Sequence, residues 1–65
     1  MKSKNNEKHL TPFELSARWK NKITPDTLAN WRSQGKGPRY FKAGASVLYP
    51  IDEIEKYERK NLIKV

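Results

Sequence analysis

Residues 23–41 constrain this chain more than any other stretch. Thr24 stands immediately before Pro25. A hydroxyl followed by proline reads as a helix N-cap with proline at the first helical position, where its missing N–H costs nothing. Ile23 and Leu28 fall at the N′ and N4 positions, so they can pack together as a hydrophobic staple. Gly35 supplies a left-handed residue to end the helix, and Gly37 with Pro38 prevents its resumption. The stretch therefore predicts one short helix, with Leu28 and Trp31 on one side and Asp26, Asn30 and Ser33 on the other. That outer side is small and polar, which suits a surface that approaches something closely. A basic segment with β-forming character follows at once.

A second capped helix precedes it. Thr11, Pro12 and Glu14 have the spacing of a capping box, in which Thr11 accepts from the N3 amide and Glu14 reaches back to the Thr11 N–H. Leu10 and Leu15 form the matching staple. Leu15 and Trp19 are four apart and share the inward face, with small Ser16 beside them where another helix can come close. Lys20, Asn21 and Lys22 connect the two helices. The pair reads as a helix-turn-helix or, on geometry alone, as an ordinary αα-hairpin.

Residues 39–49 hold β-forming side chains around Gly44. A two-residue loop at Gly44 and Ala45 puts Phe41 and Leu48 on one face and leaves Val47 and Tyr49 on the other with Lys42. A three-residue loop over 44–46 gathers Phe41, Ala43, Val47 and Tyr49 into a single apolar face and turns Lys42 outward. The second is the expected register, because it makes one face to bury. Lys42 and Ser46 then lie near the tip and Arg39 at the base. After Pro50, Asp52 with Glu55 reads as another capping box. Ile51, Ile54 and Tyr57 give a stripe at helical spacing. Leu62, Ile63 and Val65 are compatible with a longer helix or an apolar tail.

Sixty-five residues make one domain at most, and a chain so short buries only about 60% of its unfolded surface. The core is expected to be small and aromatic-rich, built from Phe13, Trp19, Trp31, Tyr40, Phe41, Tyr49 and Tyr57. Residues 1–9 are polar and read as a disordered basic arm, with His9 solvated at its end; residues 10–65 form the domain. The absence of cysteine excludes a disulfide framework and a thiolate zinc site. No apolar run approaches the roughly 18 residues of a membrane span, and no signal-peptide h-region is present. A cytoplasmic protein is expected.

Net charge is +7, and its placement matters more than its size. Residues 18–42 carry Arg18, Lys20, Lys22, Arg32, Lys36, Arg39 and Lys42 against Asp26 alone, seven cations to one anion and so +6. The last sixteen residues balance four cations with four carboxylates. A basic segment beside a neutral one points to a face for a polyanion.

Thr11, Pro12 and Glu14; Ile23 to Leu28; Trp31, Arg32, Gly35, Lys36, Gly37 and Pro38; Tyr40, Phe41, Lys42 and Gly44; and Val47, Tyr49 and Asp52 to Glu55 together form a familiar pattern. Over residues 10–57 the chain resembles the small winged helix-turn-helix proteins of the excisionase and AlpA type, distantly similar to MerR-family DNA-binding domains. The stretch from Trp31 to Pro38 is the most specific part. The resemblance implies a mainly α fold with a small β-hairpin, in the order helix, turn, helix, hairpin wing, helix. It also implies a bacterial or phage DNA-binding protein that regulates transcription or directs excision of a prophage or mobile element. Ser46 and Leu48 stand where family members often carry Arg or Lys, so the wing either binds phosphate more weakly or uses Leu48 in a protein contact.

On this reading Thr24, Asp26, Thr27, Asn30 and Ser33 approach the major groove of double-stranded DNA, while Lys36, Arg39, Lys42 and Ser46 hold the backbone or the adjacent minor groove. Asn30 is the residue suited to pair bidentately with adenine. Asp26 either accepts from cytosine or favours the helix N-terminus. An integrase or recombinase, or a second copy on DNA, is a possible further partner. No membrane, cofactor, metal or small-molecule ligand is expected. A protein-interaction module docking on an integrase or polymerase through Tyr40, Leu48 and the tail is the alternative. Single-stranded RNA binding is weaker, since most of the aromatics are needed inside. An enzyme is not expected: the one histidine lies in the arm, and no carboxylate pair is arranged for acid–base work. The segment Gly35, Lys36, Gly37 lacks the spacing of a nucleotide-binding loop.

Overall fold

The computed structural model describes residues 8–63. In chain order these form β1 (His9–Leu10), α1 (Pro12–Arg18), α2 (Pro25–Gln34), β2 (Phe41–Ala43), β3 (Ser46–Pro50) and α3 (Ile51–Lys60). The three strands make one antiparallel sheet in the order β1-β3-β2. Residues 1–7 of the expected arm, and Val65 of the tail, lie outside the described residues.

The local signals act where their chemistry requires. Thr11 Oγ1 accepts from the Glu14 N–H at 3.1 Å and the Glu14 carboxylate accepts from the Thr11 N–H at 2.9 Å, which completes a capping box on α1. Thr24 Oγ1 accepts from the Thr27 N–H at 3.2 Å, and Pro25 opens α2. Leu10 and Ile23 pack against the core that holds Leu15 and Leu28, as two staples require. α1 closes with a Schellman pair of bonds, Asn21 N–H to Ser16 carbonyl at 2.7 Å and Lys20 N–H to Ala17 carbonyl at 2.9 Å. Lys20 takes the left-handed conformation that glycine usually fills there, with φ 59°, and Asn21 follows at φ 60°. The turn between α1 and α2 is thus two consecutive left-handed residues, with the Ser16 hydroxyl bonded to Asn21 Oδ1 at 3.3 Å.

Four expectations are corrected. His9 belongs to a strand, paired with Pro50 while Leu10 pairs with Tyr49, because β1 covers an edge of β3 that would otherwise leave its peptide groups unpaired. The hairpin has the two-residue loop: Phe41 pairs with Leu48, Lys42 with Val47 and Ala43 with Ser46 around Gly44 and Ala45. Gly44 has φ 64°, as the first position of such a loop requires. Phe41 and Leu48 consequently face away from Val47 and Tyr49, and His9 meets Phe41 edge-on at 5.2 Å between ring centroids.

The third correction concerns α3, which starts directly from β3. Pro50 is its N-cap and offers no capping side chain, so Asp52 and Glu53 lie inside the first turn rather than ahead of it. The Ile51 N–H, an unpaired donor of that first turn, reaches the Lys8 carbonyl at 2.8 Å. Strand pairing of the N-terminal segment does what the Asp52 side chain was expected to do.

The core is the fourth. Leu15, Leu28, Tyr49 and Ile54 are buried, with Leu10, Trp19, Ile23, Trp31 and Val47 packed partly against them. Of the aromatic residues only Tyr49 is fully buried, and Phe13 is 75% exposed. Phe13 is two residues from Leu15, which on a helix places it on the far side from the core. Tyr57 lies between Trp19 and Trp31, with ring centroids 5.8 and 6.1 Å away. Asn61 ends α3, so Leu62 and Ile63 fall outside the helix and are exposed. Among the described residues no helix is long and apolar enough to cross a membrane.

Candidate nucleic-acid interface

Leu28 is buried in the core, so the opposite side of α2 faces solvent. Asp26, Asn30 and Ser33 stand at positions i, i+4 and i+7 and share that side; all three are exposed. Their hydrogen-bonding capacity differs. Ser33 Oγ donates to the Asn30 carbonyl at 2.9 Å. Thr24 and Thr27 sit at the start of the helix with their hydroxyl oxygens 3.1 Å apart, Thr24 also accepting the Thr27 N–H. These three hydroxyls already have partners. The Asp26 carboxylate and the Asn30 carboxamide have no side-chain hydrogen bond among the described residues, and Asn30 alone of the two offers both donor and acceptor.

The segment after α2 is fixed by a close approach. Gly35 is left-handed at φ 73°, and the Lys36 N–H returns to the Trp31 carbonyl at 2.7 Å. Gly37 then passes so near the Trp31 ring that a Cβ there would lie 2.7 Å from Cε3. This contact turns the chain through the buried Pro38 toward the hairpin and leaves Lys36 and Arg39 exposed on either side of it. Lys42 is exposed near the hairpin tip, on the face of the pair Lys42–Val47, which it shares with Tyr49. Ser46 pairs with Ala43 and so lies on the opposite face. The expected grouping of Lys42 with Ser46 does not form, because the two-residue loop sends their side chains to opposite sides.

Arg32 is a residue whose role the charge pattern hid. Its Nη1 donates to the Tyr49 hydroxyl at 2.8 Å, and its guanidinium carbon lies 5.7 Å from the Tyr40 ring centroid and 6.0 Å from that of Tyr49. This side chain joins α2 to β3 and is half-buried. The signal was present: Arg32 is four residues after Leu28 and so leans toward the core side of the helix.

Arg18 also leaves the basic face. It grips Glu58 with two bonds, Nε to Oε2 at 2.7 Å and Nη2 to Oε1 at 3.0 Å, while Trp19 Nε1 donates to Oε2 at 2.7 Å. The Arg18 contact holds the Glu58 carboxyl below the usual carboxylate range; partial burial opposes it and the Trp19 N–H assists. Arg18 is raised by the same bond. The remaining cations of this region, Lys20, Lys22, Lys36, Arg39 and Lys42, are exposed and make no ion pair among the described residues. No protein-family model, curated protein or solved structure matches the chain.

Proposed function

We propose that this chain binds double-stranded DNA as a winged helix-turn-helix, with α2 in the major groove and the β2–β3 hairpin as the wing. One observation carries the reading. The exposed face of α2 presents the Asn30 carboxamide, which has no side-chain hydrogen bond among the described residues, and Arg32, from the same helix, is tied to the hairpin whose near face carries Lys42. A base-reading group and phosphate-binding cations are thereby held in one fixed relation, which specific recognition needs. By its resemblance to excisionases, the protein's role is to regulate transcription or direct excision of a phage or mobile element. The test is a titration of duplexes selected from a random pool at several salt concentrations. With about four to six phosphates neutralised, log K against log salt falls with a slope of about −4 to −5. A slope near zero removes the reading.

A second reading, docking on an integrase or polymerase, is supported by exposed Leu62 and Ile63. They edge an apolar groove formed by Trp19, Ile23, Trp31 and Tyr57. A stable complex formed in the absence of DNA would favour it.

A further inference from the structure

We propose that α3 supplies part of the duplex-binding surface: Lys56 and Lys60, with Lys36 and Arg39, line a groove for backbone phosphates beside the C-terminal end of α2. The inference rests on the duplex-binding reading and extends it to an element that carries four carboxylates against three cations.

The folded arrangement separates those charges. The groove runs between residues 35–39 and α3, with Gly37 and Tyr57 along its length. Arg39 and Lys56 line one half and Lys36 the other, and Lys60 stands between them. Lys56 and Lys60 are four apart and share a flank of α3. The carboxylates of the same helix are mostly elsewhere. Glu58 is held by Arg18 and Trp19 on the α1 side, and Asp52 and Glu55 do not line the groove. Glu53 does, 3.8 Å from Lys56. The Lys56 side chain is 66% exposed, and a long, solvated pair of this kind leaves the ammonium available to another anion. Four cations therefore meet a single carboxylate.

A phosphate backbone fits this groove better than an acidic polypeptide, because two of its four cations, Lys36 and Arg39, already belong to the proposed duplex surface. Lys36 and Arg39 are the first cations after α2, and each shares its half of the groove with Lys60. Basic side chains spaced along a groove, without a pocket for a particular side chain, grip a repeating charge and carry no sequence information.

The experiment compares the full chain with a Lys56→Ala/Lys60→Ala double variant, Glu53→Gln, and Arg59→Ala, whose side chain is exposed on α3 outside the groove. Each is titrated with a selected duplex, a scrambled duplex and poly-glutamate at several salt concentrations, after a thermal melt has shown it folded. The double variant should reduce the salt slope by about one to two units on both duplexes and leave their affinity ratio unchanged. Glu53→Gln should tighten both, and Arg59→Ala should behave as wild type. If wild type binds with a steep slope and the double variant keeps it, the groove is overturned and the duplex reading stands. If wild type shows no salt-dependent duplex binding, both fall. A double variant that loses poly-glutamate but keeps duplex affinity would reassign the groove to an acidic protein. An Arg59→Ala loss equal to the double variant's would mark diffuse charge instead of a groove, and would also overturn it.

Discussion

Arg32 Nη1 donates to the Tyr49 hydroxyl across 2.8 Å, joining the last turn of α2 to the buried end of the hairpin. Tyr49 is a core residue, 1% exposed, and Arg32 is the hydrogen-bond partner of its hydroxyl among the described residues. Arg32 also covers the Tyr40 and Tyr49 rings. The helix and the sheet are thus locked by one cation as well as by apolar contact.

Breaking this lock should be measurable. Arg32→Ala is expected to cost about 1–2 kcal/mol, from a hydrogen bond and partly desolvated cation–π contacts. Arg32→Lys should recover little of it, because an ammonium lacks the planar fork that reaches a hydroxyl while covering a ring. Denaturant unfolding of Arg32→Ala, Tyr49→Phe and the double variant gives the coupling energy. A value near zero would show that the contact does not stabilise the fold.

Gly35 and Gly37 are two residues apart and both left-handed, at φ 73° and 84°, yet alanine should affect them unequally. At Gly35 a Cβ meets nothing within 4 Å, so only the backbone penalty of about 1–2 kcal/mol applies. At Gly37 the Cβ also strikes the Trp31 ring at 2.7 Å, and overpacking of this kind adds about 1–3 kcal/mol. Thermal melts of the two variants should rank Gly37→Ala well below Gly35→Ala. Equal melting temperatures would mean that the loop relaxes away from Trp31.

These features differ in how far they could be read ahead of the fold. The caps at Thr11 and Thr24 and the stop at Gly35 are local: donor, acceptor and conformation lie within four residues. The hairpin register is not. A single apolar face favoured the longer loop, but His9 packs edge-on against the still exposed Phe41 from a strand that its polar neighbours disguised as an arm. A second face could therefore be tolerated. Arg18 and Glu58 are 40 residues apart, so nothing along the chain removed Arg18 from the basic count. The outward face of α2 was legible because one buried residue, Leu28, fixes which side remains.

Glu58 predicts a pH dependence. Its carboxyl is held below the usual range chiefly by Arg18, so the folded state favours the ionised form. The resulting stability is present above the ordinary glutamate value of about 4.3 and is lost as pH falls through the lower folded value. Glu58→Gln removes this contribution. Wild type should melt higher than the variant near pH 6, and the gap should close as pH falls below about 4. Parallel pH profiles for the two proteins would contradict the assignment.

Asn30→Ala and Lys42→Ala should fail in different ways on DNA. Asn30 stands opposite Leu28 on α2, and its exposed carboxamide makes no hydrogen bond among the described residues. Its removal should cost roughly 1–3 kcal/mol on a selected duplex and much less on a scrambled one, eroding specificity. Lys42 is separated from the hairpin loop by Ala43 alone and offers charge without base information. Its loss should weaken all duplexes about equally and reduce the salt slope by about one unit. Both side chains are exposed, so neither change should shift the melting temperature much. The comparison is made by titrating both variants with selected and scrambled duplexes at several salt concentrations. If Asn30→Ala binds the selected duplex as wild type does, α2 does not read bases through Asn30, and docking on a protein partner becomes the better account of the fold.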